Sequence, residues 1–332
     1  TVLLSLRRVC IKLYTITNTY DRYKICFHST SKMNICRIVR PENIISLNFG
    51  SRCYKINWIE LSLPMFKIGQ FTRLHSLCLH RTNINDLNII LHHVAMNCRL
   101  RSFAIYSDIP KDSEDTLELL SQIIAQPTLH NIILYSDLRD KNKLPWPALS
   151  TIEKLSLSTC TIEQLRSILG NSPCIHSLTM DNCYIHEIDE TILFNSYQKI
   201  TSLTLNDIRT TMDKLELLLS LLPSIIHLDI ASSGRPFEFA RRLSRWEEFV
   251  RTKLPKLSRF EFCIFCYCSN WENFESLIDS FRTPFWLEEK CWFVTCQFRD
   301  DWTSSFTIFT SPESTIHSYQ GGHHFDKVTC ST

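Results

Sequence analysis

Glycine is scarce in this chain, with six among 332 residues. Loops that cradle phosphates use several clustered glycines, because the backbone must approach the phosphate closely. No such cluster is present, and neither is a G-x-S-x-G, H-E-x-x-H or EF-hand pattern. No apolar run reaches the roughly 18 residues a membrane-spanning helix needs. Lysine plus arginine exceeds aspartate plus glutamate by only two, so no strong field of one sign draws nucleic acid or an anionic membrane. No asparagine stands in an N-x-Ser/Thr acceptor; Asn171-Ser172-Pro173 and Asn195-Ser196-Tyr197 both fail it. No nucleophile has a base at credible spacing. The expectation is a chain that is not an enzyme and needs no cofactor and no metal, with neither nucleic acid nor membrane as partner.

What the chain has in quantity is one phrase, written nine times. It reads apolar, two residues, apolar, one residue, apolar. Its fullest copies are Ile152-Leu155-Leu157-Cys160-Ile162 and Ile175-Leu178-Met180-Cys183-Ile185, with a step of 23 residues between them. Looser copies start at Ile44, Leu74, Leu100, Leu129, Ile200, Ile225 and Leu257. The central apolar-x-apolar stretch predicts a short strand, since a period of two puts both apolar residues on one face. Between the strands run helical stripes: Leu87, Ile90, Leu91 and Val94; Leu117, Leu120 and Ile124; Leu165, Ile168 and Leu169; Leu215, Leu218, Leu219 and Leu222. Pro127, Pro173, Pro223 and Pro255 stop helices just before the next strand.

The phrase resembles the leucine-rich repeat, L-x-x-L-x-L-x-x-N/C-x-L. That resemblance implies an α/β solenoid, a horseshoe with a concave parallel sheet and convex helices. The expected organisation is a helical N-terminal cap over 1–40, the repeat array over 41–262, an aromatic-rich C-terminal cap over 263–310 and a weakly ordered tail over 311–332. Phe239, Leu243 and Phe249, then Phe274, Leu277, Ile278 and Phe281, are expected to be buried by helices near that end. Leu257, Phe260 and Phe262 predict one strand there, and Trp292–Val294 another.

Fifteen cysteines raise the question of disulfides or zinc. Cys78, Cys160 and Cys183 fall inside the repeat phrase, where buried thiols are ordinary. Cys263-x-x-Cys266-x-Cys268, with Cys291, Cys296, His323 and His324 downstream, lacks the second clean ligand pair that structural zinc takes. The expectation is thiols in a reducing compartment, cytoplasmic or nuclear. The sequence starts at Thr1 within a helical pattern and reads as part of a longer chain.

Ser5-Leu6-Arg7-Arg8-Val9-Cys10-Ile11-Lys12-Leu13-Tyr14 resembles the end of an F-box. F-boxes precede leucine-rich arrays in one large family of ubiquitin-ligase receptors. The resemblance implies a substrate-recognition subunit of a cullin-type ligase, with Leu6, Val9, Cys10, Leu13 and Tyr14 on the side that meets the adaptor and cullin. The leading Leu-Pro of the F-box motif is absent, so the F-box is largely truncated. A stand-alone intracellular leucine-rich scaffold or inhibitor is the alternative.

The partner surface is expected on the concave face, where side chains between the strand leucines point away from the helices. His80, Tyr106, Tyr135, Asp181, Asn206, Asp229 and Glu261 are the candidate partner-binding residues. The pattern runs from histidine and tyrosine toward carboxylates, and suits a protein substrate.

Overall fold

A computed structural model describes residues 22–26, 41–49, 70–107, 113–137, 146–181, 197–208, 210–233, 242–267, 279–299, 305–310 and 327–329. The chain divides into two compact units, Thr1–Ile175 and His176–Thr332. The architecture is mixed α/β, with mostly parallel strands flanked by helices. The span read as one array therefore crosses the division between the units.

In the first unit six described strands lie side by side in chain order: β1 (Tyr23–Cys26), β2 (Ile44–Phe49), β3 (Ser76–His80), β4 (Ser102–Tyr106), β5 (Asn131–Asp137) and β6 (Lys154–Thr159). Every neighbouring pair is parallel. Helix α1 (Ile84–Asn97) connects β3 to β4, α2 (Glu114–Ile124) connects β4 to β5, and α3 (Ile162–Asn171) follows β6. The second unit starts with four parallel strands, β7 (Ser177–Asp181), β8 (Ser202–Asn206), β9 (His227–Ser233) and β10 (Arg259–Tyr267). Helices α4 (Met212–Ser220) and α5 (Leu243–Lys253) join them. All nine copies of the phrase carry a strand, β2 to β10.

Register explains the core. Leu47, Leu77, Phe103, Ile132 and Leu155 face one another across β2 to β6, and each is at most 1% exposed. The helical stripes Leu87, Ile90, Leu91, Val94 and Leu120, Ile124 are buried with them, so the helices cover the leucine face of the sheet. Each such side chain contributes roughly 1.5–3 kcal/mol by leaving water. Polar residues announce the helix starts. The Asn83 side chain accepts the Asp86 N–H at 2.9 Å, and Thr161 and Gln164 form a reciprocal capping box.

The repeats are also tied at the backbone. At the entry to six of the strands two successive N–H groups converge on one carbonyl of the preceding copy. Arg101 and Ser102 donate to His75, His130 and Asn131 to Arg101, and Glu153 and Lys154 to His130. In the second unit the same pairs recur on His176, Thr201 and Ile226. Glycine scarcity has a visible consequence at the strand ends. Arg81, directly after β3, and Asp207, directly after β8, take positive φ values of 51° and 48°. The turn demands a left-handed residue there, and the chain meets the demand without glycine.

Two regions differ from the sequence reading. Residues 1–40 were expected to be helical, yet Tyr23–Cys26 is a strand, parallel to β2 with Ile25 buried. Its backbone groups meet the otherwise open edge of β2. Within the tail, Lys327–Thr329 forms β13, a strand the sequence does not announce. It pairs antiparallel with β11 (Val294–Arg299), which is itself antiparallel to β12 (Ser305–Thr310) on the far side of β10. Trp292 lies just ahead of β11 and not within it.

The aromatic end of the second unit is packed as a core. Trp246, Phe260, Phe281, Phe285 and Trp286 are at most 2% exposed. Their rings meet edge-on or tilted, as with Phe281 and Trp286 at 5.1 Å and Trp286 and Trp292 at 5.6 Å. Leu243 is buried and Phe249 half-buried; Phe239, Phe274, Leu277 and Ile278 lie outside the described residues.

Candidate functional site

The strand face opposite the leucines carries all seven candidate partner-binding residues, each half-buried. In the first unit the structure brings three of them together. His80 and Tyr106 are partners in register on β3 and β4. Their rings stack at 4.2 Å with an interplanar angle of 2°. Tyr135, on the next strand, stacks on Tyr106 at 4.8 Å and 28°. Strand spacing in a parallel sheet is about 4.8 Å, close to the separation of stacked rings, so in-register aromatics form a ladder at no geometric cost. The Cys78 sulfur sits 3.3 Å from Nε2 of His80 and props the first rung.

The row beside the ladder mixes small and polar side chains with one aliphatic, with Asn48, Cys78, Ala104, Ile133 and Ser156 in register. Burial pushes the Cys78 thiol up to about 11, with a smaller push from Cys26. At neutral pH that sulfur is a thiol and not a nucleophilic thiolate.

The second unit carries the acidic candidates. Asp181 and Asn206 are in register on β7 and β8, and the Asn206 amide donates to Oδ1 of Asp181 at 2.5 Å. Asp229 and Glu261 are in register on β9 and β10. Burial, then the charge of Glu261, raises the Asp229 carboxyl above the ordinary range, while Arg259 opposes the shift. Arg259 forms an ion pair with Glu261. Asp229 also raises the neighbouring Cys263 thiol, after burial itself. This face is a graded acidic surface, with one carboxylate hydrogen-bonded, one ion-paired and one partly desolvated.

A cluster that sequence spacing did not reveal lies at the end of α1. His93 is buried; its Nδ1 is 3.1 Å from the Asn97 amide and its Nε2 is 3.7 Å from the Cys98 sulfur. The residue types match a cysteine nucleophile, its base and an orienting amide, but the environment works the other way. Burial holds the His93 imidazole below its usual range and pushes the Cys98 thiol up to about 11. The thiol donates to the Phe71 carbonyl at 3.4 Å. The trio ties the helix end to the preceding segment.

Among the described residues no group of three or more histidine, cysteine or acidic side chains has the arrangement of a metal site. Cys78, Cys98, Cys174, Cys263 and Cys291 are thiols outside any disulfide. No helix of the described residues is long and apolar enough to cross a membrane. Leu6, Val9, Cys10, Leu13 and Tyr14, with Cys183, Cys268, His323 and His324, lie outside the described residues. Compared with models of known protein families and with curated proteins, the chain matches none.

Proposed function

We propose that this chain is a non-catalytic protein-interaction module, a leucine-rich-repeat solenoid that holds a protein substrate on its strand face. The observation that carries the proposal is the His80–Tyr106–Tyr135 ladder. Tyrosine offers large contact area and a hydrogen-bonding tip at little entropic cost, and stacking fixes these rings before any partner arrives. The carboxylates of the second unit, Asp181, Asp229 and Glu261, favour a basic region of the partner. The nine strand-bearing copies of the phrase support the repeat reading.

More specifically, we propose a substrate-recognition subunit of a cullin-type ubiquitin ligase, a matchmaker whose rate effect is proximity. This step rests on the F-box resemblance at residues 5–14. Co-precipitation of the chain with purified adaptor and cullin tests it, with Leu6→Asp and Leu13→Asp as interface variants. Capture that those variants abolish supports the ligase. Partner binding without ligase components favours a stand-alone scaffold or inhibitor.

The strand face is tested separately by partner binding to Tyr106→Ala, Tyr135→Ala and Asp181→Asn combined. Tyr106→Ala removes two ring contacts, each worth about 0.5–1.5 kcal/mol beyond area burial, so folding is checked by circular dichroism. Tyr106→Phe keeps the stack and serves as the folded control. Unchanged partner affinity in the folded triple variant rejects the strand face as the recognition surface.

A further inference from the structure

We propose that the groove between α1 and α2, on the helical side of the first unit, docks a lysine- or arginine-bearing segment of a partner protein. The groove encloses about 580 Å³. Helix α1 lines it with Ile89 and His92, and α2 lines it with Asp115, Glu118, Leu119 and Gln122. It lies on the opposite side of the sheet from the tyrosine ladder, so it is independent of the strand-face reading.

Two features select the occupant. The first is unneutralised charge. Asp115 and Glu118 are three residues apart on α2 and share one wall. Both are exposed, and among the described residues neither has a hydrogen-bond or ion-pair partner. Among the described residues that line the groove there is no lysine or arginine. The second is aliphatic surface left in water. Ile89, in the groove wall, is 56% exposed in the middle of α1; Met96, 68% exposed, continues the stripe seven residues on, beyond the lining residues. Core-facing neighbours Ile90, Leu91 and Val94 are fully buried, so Ile89 and Met96 are not needed to hold the helix down.

A lysine or arginine side chain matches both features at once. Its methylene stem covers Ile89 and Leu119 while its cationic head reaches the carboxylates. An acidic segment meets repulsion from Asp115 and Glu118, and a wholly apolar segment desolvates them without a partner. The walls are already set for binding. The Thr116 hydroxyl donates to Oδ1 of Asn88 at 2.6 Å across the two helices, and the Gln126 amide reaches the carbonyls of Val94 and Cys98. Little ordering cost remains for the groove itself.

The test uses the full 332-residue chain and a fluorescein-labelled amphipathic peptide with lysine at every fourth position and leucine between. Fluorescence anisotropy measures affinity, and amide hydrogen exchange locates the contact. Saturable binding with slowed exchange in α1 and α2 is expected. Asp115→Asn with Glu118→Gln should weaken it about fivefold, the scale of two exposed ion pairs, and Ile89→Ser should weaken it further. Glu163→Gln, which removes an exposed carboxylate on α3 away from the groove, should leave it unchanged. An equally tight complex with the lysines replaced by glutamate overturns the proposal. So does wild-type affinity in the charge-neutral double variant, or the absence of saturable binding.

Discussion

Gln126 is a single polar side chain on which three backbone groups of the first unit depend. It sits just before Pro127, where α2 has ended and β5 has not begun. Its Oε1 accepts the Leu100 N–H at 3.1 Å. Its Nε2 donates to the Cys98 carbonyl at 3.0 Å and to the Val94 carbonyl at 3.3 Å. The side chain of one repeat therefore completes the helix end and strand entry of the repeat before it. Gln126→Met keeps length and volume but removes both the donor and the acceptor. The Val94 carbonyl loses little, because it still accepts the Cys98 N–H at 3.2 Å. The Leu100 N–H and the Cys98 carbonyl are left facing a methionine, and Leu100 is fully buried. An unsatisfied buried group costs about 1–3 kcal/mol, and methionine returns less than about 1 kcal/mol through added apolar burial. The expected loss is about 2–4 kcal/mol, measured by urea unfolding followed by far-ultraviolet circular dichroism. At about 2–4 °C per kcal/mol for a unit of this size, the melting temperature falls by roughly 5–15 °C. Exchange of the Leu100 amide should accelerate more than that of Phe103, whose N–H is inside the sheet. Gln122→Met is the matched control, since Gln122 is exposed on α2. If the two methionine variants differ by less than about 0.5 kcal/mol, a buried backbone group at this helix end does not carry the penalty the reasoning assigns.

Three further outcomes follow from the electrostatics. Glu216 is 8% exposed and accepts Arg245 at 2.7 Å, while Arg245 also reaches Asp213 at 2.9 Å. Arg245→Met should destabilise the second unit in urea, and adding Glu216→Leu should recover most of the loss, because the uncompensated carboxylate and not the missing arginine is the cost. A folded-state pKa raised above the unfolded value, as at Asp229, means the folded chain holds that proton more tightly. Its stabilising contribution is full below the unfolded pKa and is lost as pH rises through the folded one. Asp229→Asn should therefore raise stability at pH 7 and flatten the stability profile above pH 4, read by thermal melts across pH. Cys98 is raised from 9.0 to about 11, about a hundredfold less thiolate at neutral pH. Mass spectrometry after iodoacetamide should find exposed Cys174 and Cys291 modified long before Cys98 and Cys78; early labelling of Cys98 would show that the α1 end opens.

Particular residues show how far the sequence could be read. The pair Leu155 and Leu157 announces β6 because alternation is a local property of the backbone, and Leu87 to Val94 announces α1 for the same reason. The strand face was legible too, since a period of two assigns His80, Tyr106 and Tyr135 to it once Leu79, Ile105 and Leu134 are assigned inward. Their stacking was not legible, because it depends on β3, β4 and β5 being in register, a relation among segments about 25–30 residues apart. Tyr23–Cys26 and Lys327–Thr329 were missed because short edge strands have little pattern of their own; the neighbouring strand makes them strands. The caps at Asn83, Thr161 and Thr211 were visible as residue types but not singled out.

Sequence alone determined the repeating unit, the inward leucines and the polar rows between them, because each follows from the dihedral period of one short segment. Tertiary structure alone decided what those rows became. It stacked three rings into a ladder, set Asp229 beside Glu261, turned His93 and Cys98 into a buried tie and, among the described residues, left Asp115 and Glu118 without counter-charge along a groove. Those outcomes depend on distances between segments remote in the chain, and such distances are set only when parallel strands lock in register and helices settle on the leucine face.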